Sequence, residues 1–447
     1  MRVGTVISLL ACLGLSSAQV ITRDVTVIGG GSAGTYAAVN LRERNRTVAV
    51  IEKSGRLGGH TDTYFDSATG THVDFGVIFY ENLTVVQDYF NHFGIPLTTV
   101  PPSGGEQPQR IDFRSGTPVD ASQGNVSDAL SRYAVQLLKY PYLAVGFDLP
   151  DPVPEDLTLP FGEFVQKHDL GAVVDIIFSY AQGVGDLLQL PTIYVMKYVS
   201  LEVLDAIQNG FLQTTNRNNG ALYVGAAEQL AADIFFNSTV VSMDRDSDPD
   251  WVHIDIQTPD GHQSIRTKQV ISAIPPTLEN LDGYDLDEVE QGLFGLFSSS
   301  CYYTALARVD GLPAGITAFN RANETQYNLP PLPGVYVLTP TAVPGLYSIL
   351  YGSEDFISED NVKEAMSQAV QYLQVNSSNP EYVAYEAHSP FELKVSPETI
   401  AIGFYRELNA LQGHRRTYYT GAAFDAHDSS RIWRFTETLL QRMQGKQ

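Results

Sequence analysis

Three glycines, Gly29, Gly31 and Gly34, stand in the spacing G-x-G-x-x-G at the end of the run Asp24-Val25-Thr26-Val27-Ile28. The β-branched residues feed a strand into the turn, and Ala33, Ala37 and Leu41 recur on one face of the helix that follows. The chemistry open to such a turn is the grip of a pyrophosphate. Gly29 permits the tight bend, Gly31 lets an anion approach bare backbone, and Gly34 admits close helix–strand contact. Ser32 and Ala33 open the helix, whose N-terminal amides supply positive potential. A second apolar run, Thr47 to Ile51, delivers Glu52 eighteen residues after Gly34, where a carboxylate accepts hydrogen bonds from ribose hydroxyls and repels a 2′-phosphate. A dinucleotide is implied, and NADP is disfavoured.

Gly30-x-Ser32-x-Gly34 also fits the nucleophile elbow of serine hydrolases, which shares the strand–turn–helix setting. Position argues against it, because such an elbow sits on an interior strand with its oxyanion loop upstream, whereas Ser32 follows the first strand after an N-terminal leader.

After Glu52 comes Lys53-Ser54-Gly55-Arg56-Leu57-Gly58-Gly59-His60. Glu-x-x-x-Arg-x-Gly-Gly directly behind a second strand resembles the flavin-containing amine oxidase superfamily, whose arginine and paired glycines help hold the FAD diphosphate. The physics agrees, since an Arg fork suits phosphate and two glycines expose backbone amides. The resemblance implies that Lys53, Arg56, Gly58, Gly59 and His60 lie along the cofactor. His60 stands where many members carry a second arginine. Gly-Gly-His also occurs where some unrelated flavoproteins attach FAD covalently, but those lack this context, and a backbone-positioned loop histidine is the default.

The likeness extends along most of the chain. His72-Val73-Asp74-Phe75-Gly76 looks like the family's Asp-x-Gly turn below the flavin, and Val240 within Thr239-Val240-Val241 looks like the valine whose backbone meets the adenine. Thr417-Tyr418-Tyr419-Thr420-Gly421 resembles the strand and glycine that lead to a flavin-facing helix, but Ala422 replaces the acid usual after that glycine. Asp428 or Ser429 is placed to cap that last helix, whose dipole would stabilise negative charge on the reduced flavin. The leader and the Gly-Gly-His-Thr run resemble β-cyclopiazonate dehydrogenase-like fungal flavoproteins. Leu159 to Phe164, Tyr194-x-x-Lys197-Tyr198 and Tyr419-x-Gly421 resemble the polyenoic fatty acid isomerase, whose reaction is redox-neutral.

These motifs need a scaffold. The expected fold class is α/β: a discontinuous Rossmann-type FAD-binding domain with an interleaved α+β substrate domain. Residues 19–100, 216–290 and 406–447 are assigned to the first, and residues 101–215 and 291–405 to the second. Pro-rich stretches at Pro96–Pro108, Leu149–Pro160 and Leu329–Pro333 mark crossings. Helical spacing runs through 161–215, and strands are expected at 239–243, 252–256 and 270–274, the last stopped by Pro275-Pro276. The terminal helix carries Ile432, Phe435, Leu439, Leu440 and Met443 on its apolar face.

Composition bounds the rest. The 447 residues are 43% hydrophobic and 18% charged, which fits a globular chain of two or three domains. With 28 Lys+Arg against 51 Asp+Glu, the net charge of −23 repels phosphate backbones, so nucleic acid is excluded as a partner. No apolar run reaches the roughly 20 residues of a transmembrane span. Residues 1–18 read as a secretory signal peptide, with Arg2, an apolar stretch from Val6 to Leu15, and a cut before Gln19. Its removal takes Cys12 and leaves Cys301 unpaired, so no disulfide framework exists. Sequons at Asn45, Asn82, Asn125, Asn237, Asn323 and Asn376 fit a secreted glycoprotein. No histidine spacing suggests a metal site.

A flavin accepts hydride from substrate without a protein nucleophile, so catalytic residues leave little local mark. His60, Tyr64, Tyr80, Tyr194, Lys197, Tyr405 and Tyr419 are candidates to face an apolar small-molecule substrate, and none is assigned. His427 reads as a solvated residue beside the cap rather than as a flavin-edge base. The leading expectation is oxygen-linked dehydrogenation of an apolar metabolite. Double-bond isomerisation of a polyunsaturated fatty acid and non-catalytic flavin binding are the alternatives.

Overall fold

The computed structural model describes residues 20–101, 108–121, 124–312, 315–373 and 379–445. The leader, Cys12 and Asn376 lie outside the described residues.

One seven-stranded sheet carries the glycine loop. Its elements are β1 (Ile21–Ile28), α1 (Ser32–Glu43), β2 (Val48–Ile51), α2 (Gly220–Leu230), β3 (Ile234–Phe235), β4 (Thr239–Asp244), β5 (Val252–Thr258), β6 (Gly261–Ser272), β7 (Thr417–Tyr419) and α3 (Ser429–Met443). The strand order is β4-β5-β6-β1-β2-β3, with β7 beside β6. The strands that matter are parallel and level. Ile28 lies opposite Ile51 on one side and Ser272 on the other, Ser272 opposite Tyr419, and Ile51 opposite Phe235. Gly29, Glu52, Ala273 and Thr420 therefore all emerge at one edge, the carboxyl end of the parallel strands, where open α/β sheets bind ligands.

The expected strands between 239 and 274 form as an antiparallel meander, but β6 starts at Gly261, nine residues before the expected start. Its first half, His262 to Arg266, pairs with the meander strand β5, which is buried on one face only, and so lacks the apolar run that marks Val270-Ile271. Stacked on the sheet, α1 buries Ala33, Ala37, Ala38 and Leu41 against α2 and α3, and Tyr36 lies 6.1 Å from Trp433. The helical stretch after Pro160 breaks into Phe161–Lys167, Val174–Tyr180, Thr192–Tyr198 and Leu201–Asn209. The breaks fall at Asp169 with φ 53°, at Pro191, and at Ser200, whose hydroxyl caps the last helix.

A second seven-stranded sheet follows the order Glu381–His388, Cys301–Arg308, Leu346–Ser353, Gly334–Pro340, Ala318–Asn320, Gln109–Asp112 and Thr117–Pro118. It is antiparallel apart from the Ala318–Asn320/Gln109–Asp112 pair. The end of its edge strand, His388, reaches His60 in the loop that follows β2.

Candidate cofactor and substrate site

The three loop glycines are bare for different reasons. Gly29 has φ +96°, and a β-carbon there would lie 2.7 Å from Ile274 Cγ2. At Gly34 a β-carbon would stand 1.9 Å from the Gly29 carbonyl oxygen, so the chain itself demands glycine there. At Gly31 it would meet only Gly59 Cα, at 3.8 Å, an ordinary contact. The protein does not fill the space above Gly31. Gly31 is also the N-cap of α1 and offers no side-chain cap, so the first amides of the helix are left for a ligand. Those uncapped amides beside an open glycine fit a diphosphate. Beside them, Ala33 is buried, and Ser32 Oγ donates to Ser429 Oγ at 3.0 Å, joining the loop to α3.

Glu52 is buried and already engaged. Its Oε2 accepts from the Gly30 amide at 2.7 Å, and its Oε1 accepts from the amide and hydroxyl of Ser54, each at 2.7 Å. A carboxylate has about four acceptor positions, so these three bonds orient the group and leave capacity for a ribose hydroxyl. Backbone bonds from Glu52 N to Phe235 O, Ser238 N to Glu52 O and Asn237 N to Ser54 O lay the chain before Val240 along this acid. Lys53 is exposed.

Arg56 turns back on its own loop. Its Nη atoms donate to the carbonyls of Leu57, Gly59 and Thr61, and Nη2 pairs with Asp62. Burial pushes the Asp62 carboxyl up to about 6 against the pull of that guanidinium. The fork thus shapes the Gly58-Gly59 turn, where φ is +115° and +54°, and the Gly58 amide ties the turn to Gly30 O at 2.8 Å. The Asp74-Phe75-Gly76 turn closes underneath, since a β-carbon on Gly76 would lie 2.0 Å from the His60 carbonyl oxygen.

At the far side Gly421 has φ +112° and leads into the one-turn helix Ala422–Phe424. Ala422 offers no polar group. The next acid, Asp425, is fully buried and turned inward, accepting from Lys197 Nζ at 2.6 Å, Arg431 Nε at 3.1 Å and the Gly146 amide at 2.9 Å. Of the two possible caps, Asp428 serves, accepting from the Arg431 amide at 3.1 Å.

Three imidazoles converge beside this cradle. The His60 ring lies 4.2 Å from that of His388 and 6.0 Å from that of His427, and Phe391 stacks on His427 at 4.0 Å. His427 is therefore not a solvated residue. Its side chain is 10% exposed, and its Nε2 meets the Phe391 carbonyl at 2.5 Å. The polar sequence around Asp428 suggested solvent, but Phe391, in the loop just past the edge strand of the second sheet, covers the ring. Burial holds all three imidazoles neutral, with His60 lowered to about 4, His427 to about 3, and His388 well below the usual range. Next to them, burial raises Glu392 to about 7, although Tyr198 Oη donates to its Oε2 at 3.0 Å.

Most of the other candidates have their polar atoms occupied or lie apart, although Tyr80 Oη is buried without a partner. Lys197 gives its three donors to Leu143 O, Gly146 O and Asp425. Tyr405 Oη donates to Tyr194 Oη at 2.8 Å, which in turn accepts from the Val395 amide. Tyr419 Oη donates to Glu290 Oε1, itself bound to Arg245. Tyr80 is fully buried 5.4 Å from Trp433, and Tyr64 is half-buried on a hairpin. His388, Phe391 and Glu392 carried no local signal, and only packing brings them to His60. Asp287, Glu290 and His414 also cluster, but Asp287 caps a helix and Glu290 holds Arg245, so those groups are in structural use.

Fold and cradle together define a flavoprotein in which one sheet carries the glycine loop and a second, largely antiparallel sheet is built from the interleaved segments. The family described as flavin containing amine oxidoreductase matches residues 32–280, and the chain belongs to it. It is 37% identical over 442 residues to the FAD-dependent oxidoreductase oblC of Cochliobolus heterostrophus, covering 95% of this chain and 91% of that one. It is 33% identical to β-cyclopiazonate dehydrogenase of Aspergillus oryzae, covering 98% and 97%. Among solved structures, the CLA-producing fatty acid isomerase from P. acnes superposes with a TM-score of 0.79 at 19% identity, covering 94% and 98%. The protein is an FAD-dependent oxidoreductase of the α/β type expected from its motifs.

Proposed function

We propose that this oxidoreductase removes two hydrogens from an apolar small molecule of secondary metabolism and passes them to oxygen. The single observation that carries the reading is the convergence of neutral, mostly buried rings, His60, His388, Phe391 and His427, on the Gly59 side of the cradle. The similarity to β-cyclopiazonate dehydrogenase along nearly the whole of both chains supports it.

FAD, when bound, supplies the acceptor for a hydride. The chain's own residues do the rest. Gly31 and the α1 amides would hold the diphosphate, Glu52 the ribose, and the backbone beside Val240 the adenine. Ser429 Oγ accepts from Ser32 Oγ, so the Asp428-capped start of α3 is held against the glycine loop. The aromatic and imidazole rings exclude water and position the carbon that loses hydride. In the net reaction the substrate loses a hydride and a proton, and O2 becomes H2O2.

Peroxide measured during turnover with a reducing substrate is the test. Stoichiometric peroxide is expected. Turnover without peroxide or any net oxidation of substrate would instead support a double-bond shift.

Export belongs to the same proposal. Asn45, Asn82, Asn125, Asn237 and Asn323 are all exposed, as attachment of a glycan requires.

A further inference from the structure

His60, His388 and His427 come from three distant parts of the chain. His60 ends the Gly58-Gly59 turn that faces Gly31. His427 directly precedes the cap of α3, whose Ser429 touches Ser32. His388 ends the edge strand of the second sheet, Glu381–His388. Two of the three rings thus hang from backbone bordering the cofactor cradle, and the third reaches them from the substrate sheet. Ligand sites favour such junctions.

Folding alone does not account for the group. His388 is 4% exposed, and its Nε2 is buried without a hydrogen-bond partner. An unpartnered buried polar atom costs about 1–3 kcal/mol, and native sites retain such atoms where a ligand completes them. His427 has one nitrogen committed to the Phe391 carbonyl, which orients the ring. The same burial that keeps these imidazoles neutral penalises an ammonium or a carboxylate brought among them. An uncharged group that shares a hydrogen bond suffers no such penalty.

Resting on the flavoenzyme reading above, we propose that His388, flanked by His60 and His427 and floored by Phe391, recognises an uncharged hydroxyl, phenolic or enolic, on an otherwise apolar ring substrate. His388 Nε2 accepts the hydrogen bond, while Phe391 and Tyr302, whose rings are 5.0 Å apart, pack against the ring face. The group is a specificity device, which orients the substrate at the cradle.

Calorimetric titration of the FAD-loaded protein with 4-hexylresorcinol, hexylbenzene and hexylamine tests this, with flavin content read separately from the visible spectrum. Hexylresorcinol is expected to bind roughly tenfold or more tighter than the other two, the worth of one good hydrogen bond in a buried site. His388→Phe, close in size, is expected to keep its flavin and lose that preference, while His388→Gln regains part of it. Equal binding of the three probes by the wild type, or tighter binding of hexylamine, overturns the proposal without help from any variant. So does a His388→Phe protein that keeps the preference, or one that folds but sheds its flavin, which would place the cluster on the cofactor. A wild type with no flavin that still prefers hexylresorcinol would instead overturn the flavoenzyme reading and leave the hydroxyl site standing.

Discussion

Gly31 and Gly59 face each other with no side chain between them: a β-carbon on Gly31 would lie 3.8 Å from Gly59 Cα, and one on Gly59 would lie 3.0 Å from Gly31 Cα. The two glycine turns thus form opposite lips of one slot. Gly31→Ala fits the protein and obstructs only what enters the slot. It is expected to fold with an unchanged melting temperature and to bind FAD at least tenfold more weakly. Gly34→Ala drives a methyl into the Gly29 carbonyl at 1.9 Å and is expected to give little soluble protein. Equal flavin loading by Gly31→Ala and wild type in a titration would refute the slot.

Glu52 accepts from donors on both oxygens, Gly30 N on one and Ser54 N on the other. Glu52→Gln must turn its NH2 toward one of those donors whichever way it flips. A loss of about 1–3 kcal/mol is expected from that clash, seen in urea unfolding, together with weaker FAD binding. An unchanged unfolding midpoint would mean that the acid does not brace the loop.

Lys197 stands on a helix whose sequence likeness suggested a role at the substrate. Its three donors are spent on Leu143 O, Gly146 O and Asp425, inside the core. Lys197→Met is expected to cost about 1–3 kcal/mol, because Asp425 keeps Arg431 and the Gly146 amide while the buried Gly146 carbonyl loses its donor, and flavin content per folded molecule and the affinity for substrate are retained. Full stability with lost turnover would move Lys197 into the active site.

Glu392 is the clearest source of a pH effect. Burial raises its carboxyl from an ordinary 4.5 to about 7, opposed by the Tyr198 hydroxyl and by Lys394, with His427 Nε2 at 3.8 Å. The native state therefore binds this proton more tightly than the unfolded chain. The stabilisation is complete below about pH 4.5 and is lost as pH rises through about 7, by at most about 3 kcal/mol. Glu392→Gln keeps an acceptor for Tyr198 and removes the titration. Between pH 5 and 8 the wild type is expected to lose stability relative to the variant, and parallel profiles would contradict the assignment.

Local physics made much of this site legible. A glycine pattern, a strand and an acid at fixed spacing lie within thirty residues, and each is demanded by geometry that any such turn must obey. The strands around Thr239–Met243, Val252–Ile256 and Val270–Ser272 announced themselves in the same way, and the cap of the last helix was narrowed to Asp428 or Ser429. The imidazole cluster did not, because His60, His388 and His427 meet only when two sheets pack, and nothing beside His388-Ser389-Pro390-Phe391 in the sequence points to the glycine loop. Tyr194, Tyr405 and Tyr419 show the converse. A tyrosine's type does not tell whether its hydroxyl faces a ligand or, as here, another buried side chain.

The most direct measurement is the visible spectrum of the purified protein, followed by acid precipitation and identification of any released chromophore. A yellow protein that releases FAD, and a Gly31→Ala variant that is folded yet nearly colourless, are the predicted results. A wild type that stays colourless after incubation with FAD would contradict the assignment of the glycine slot.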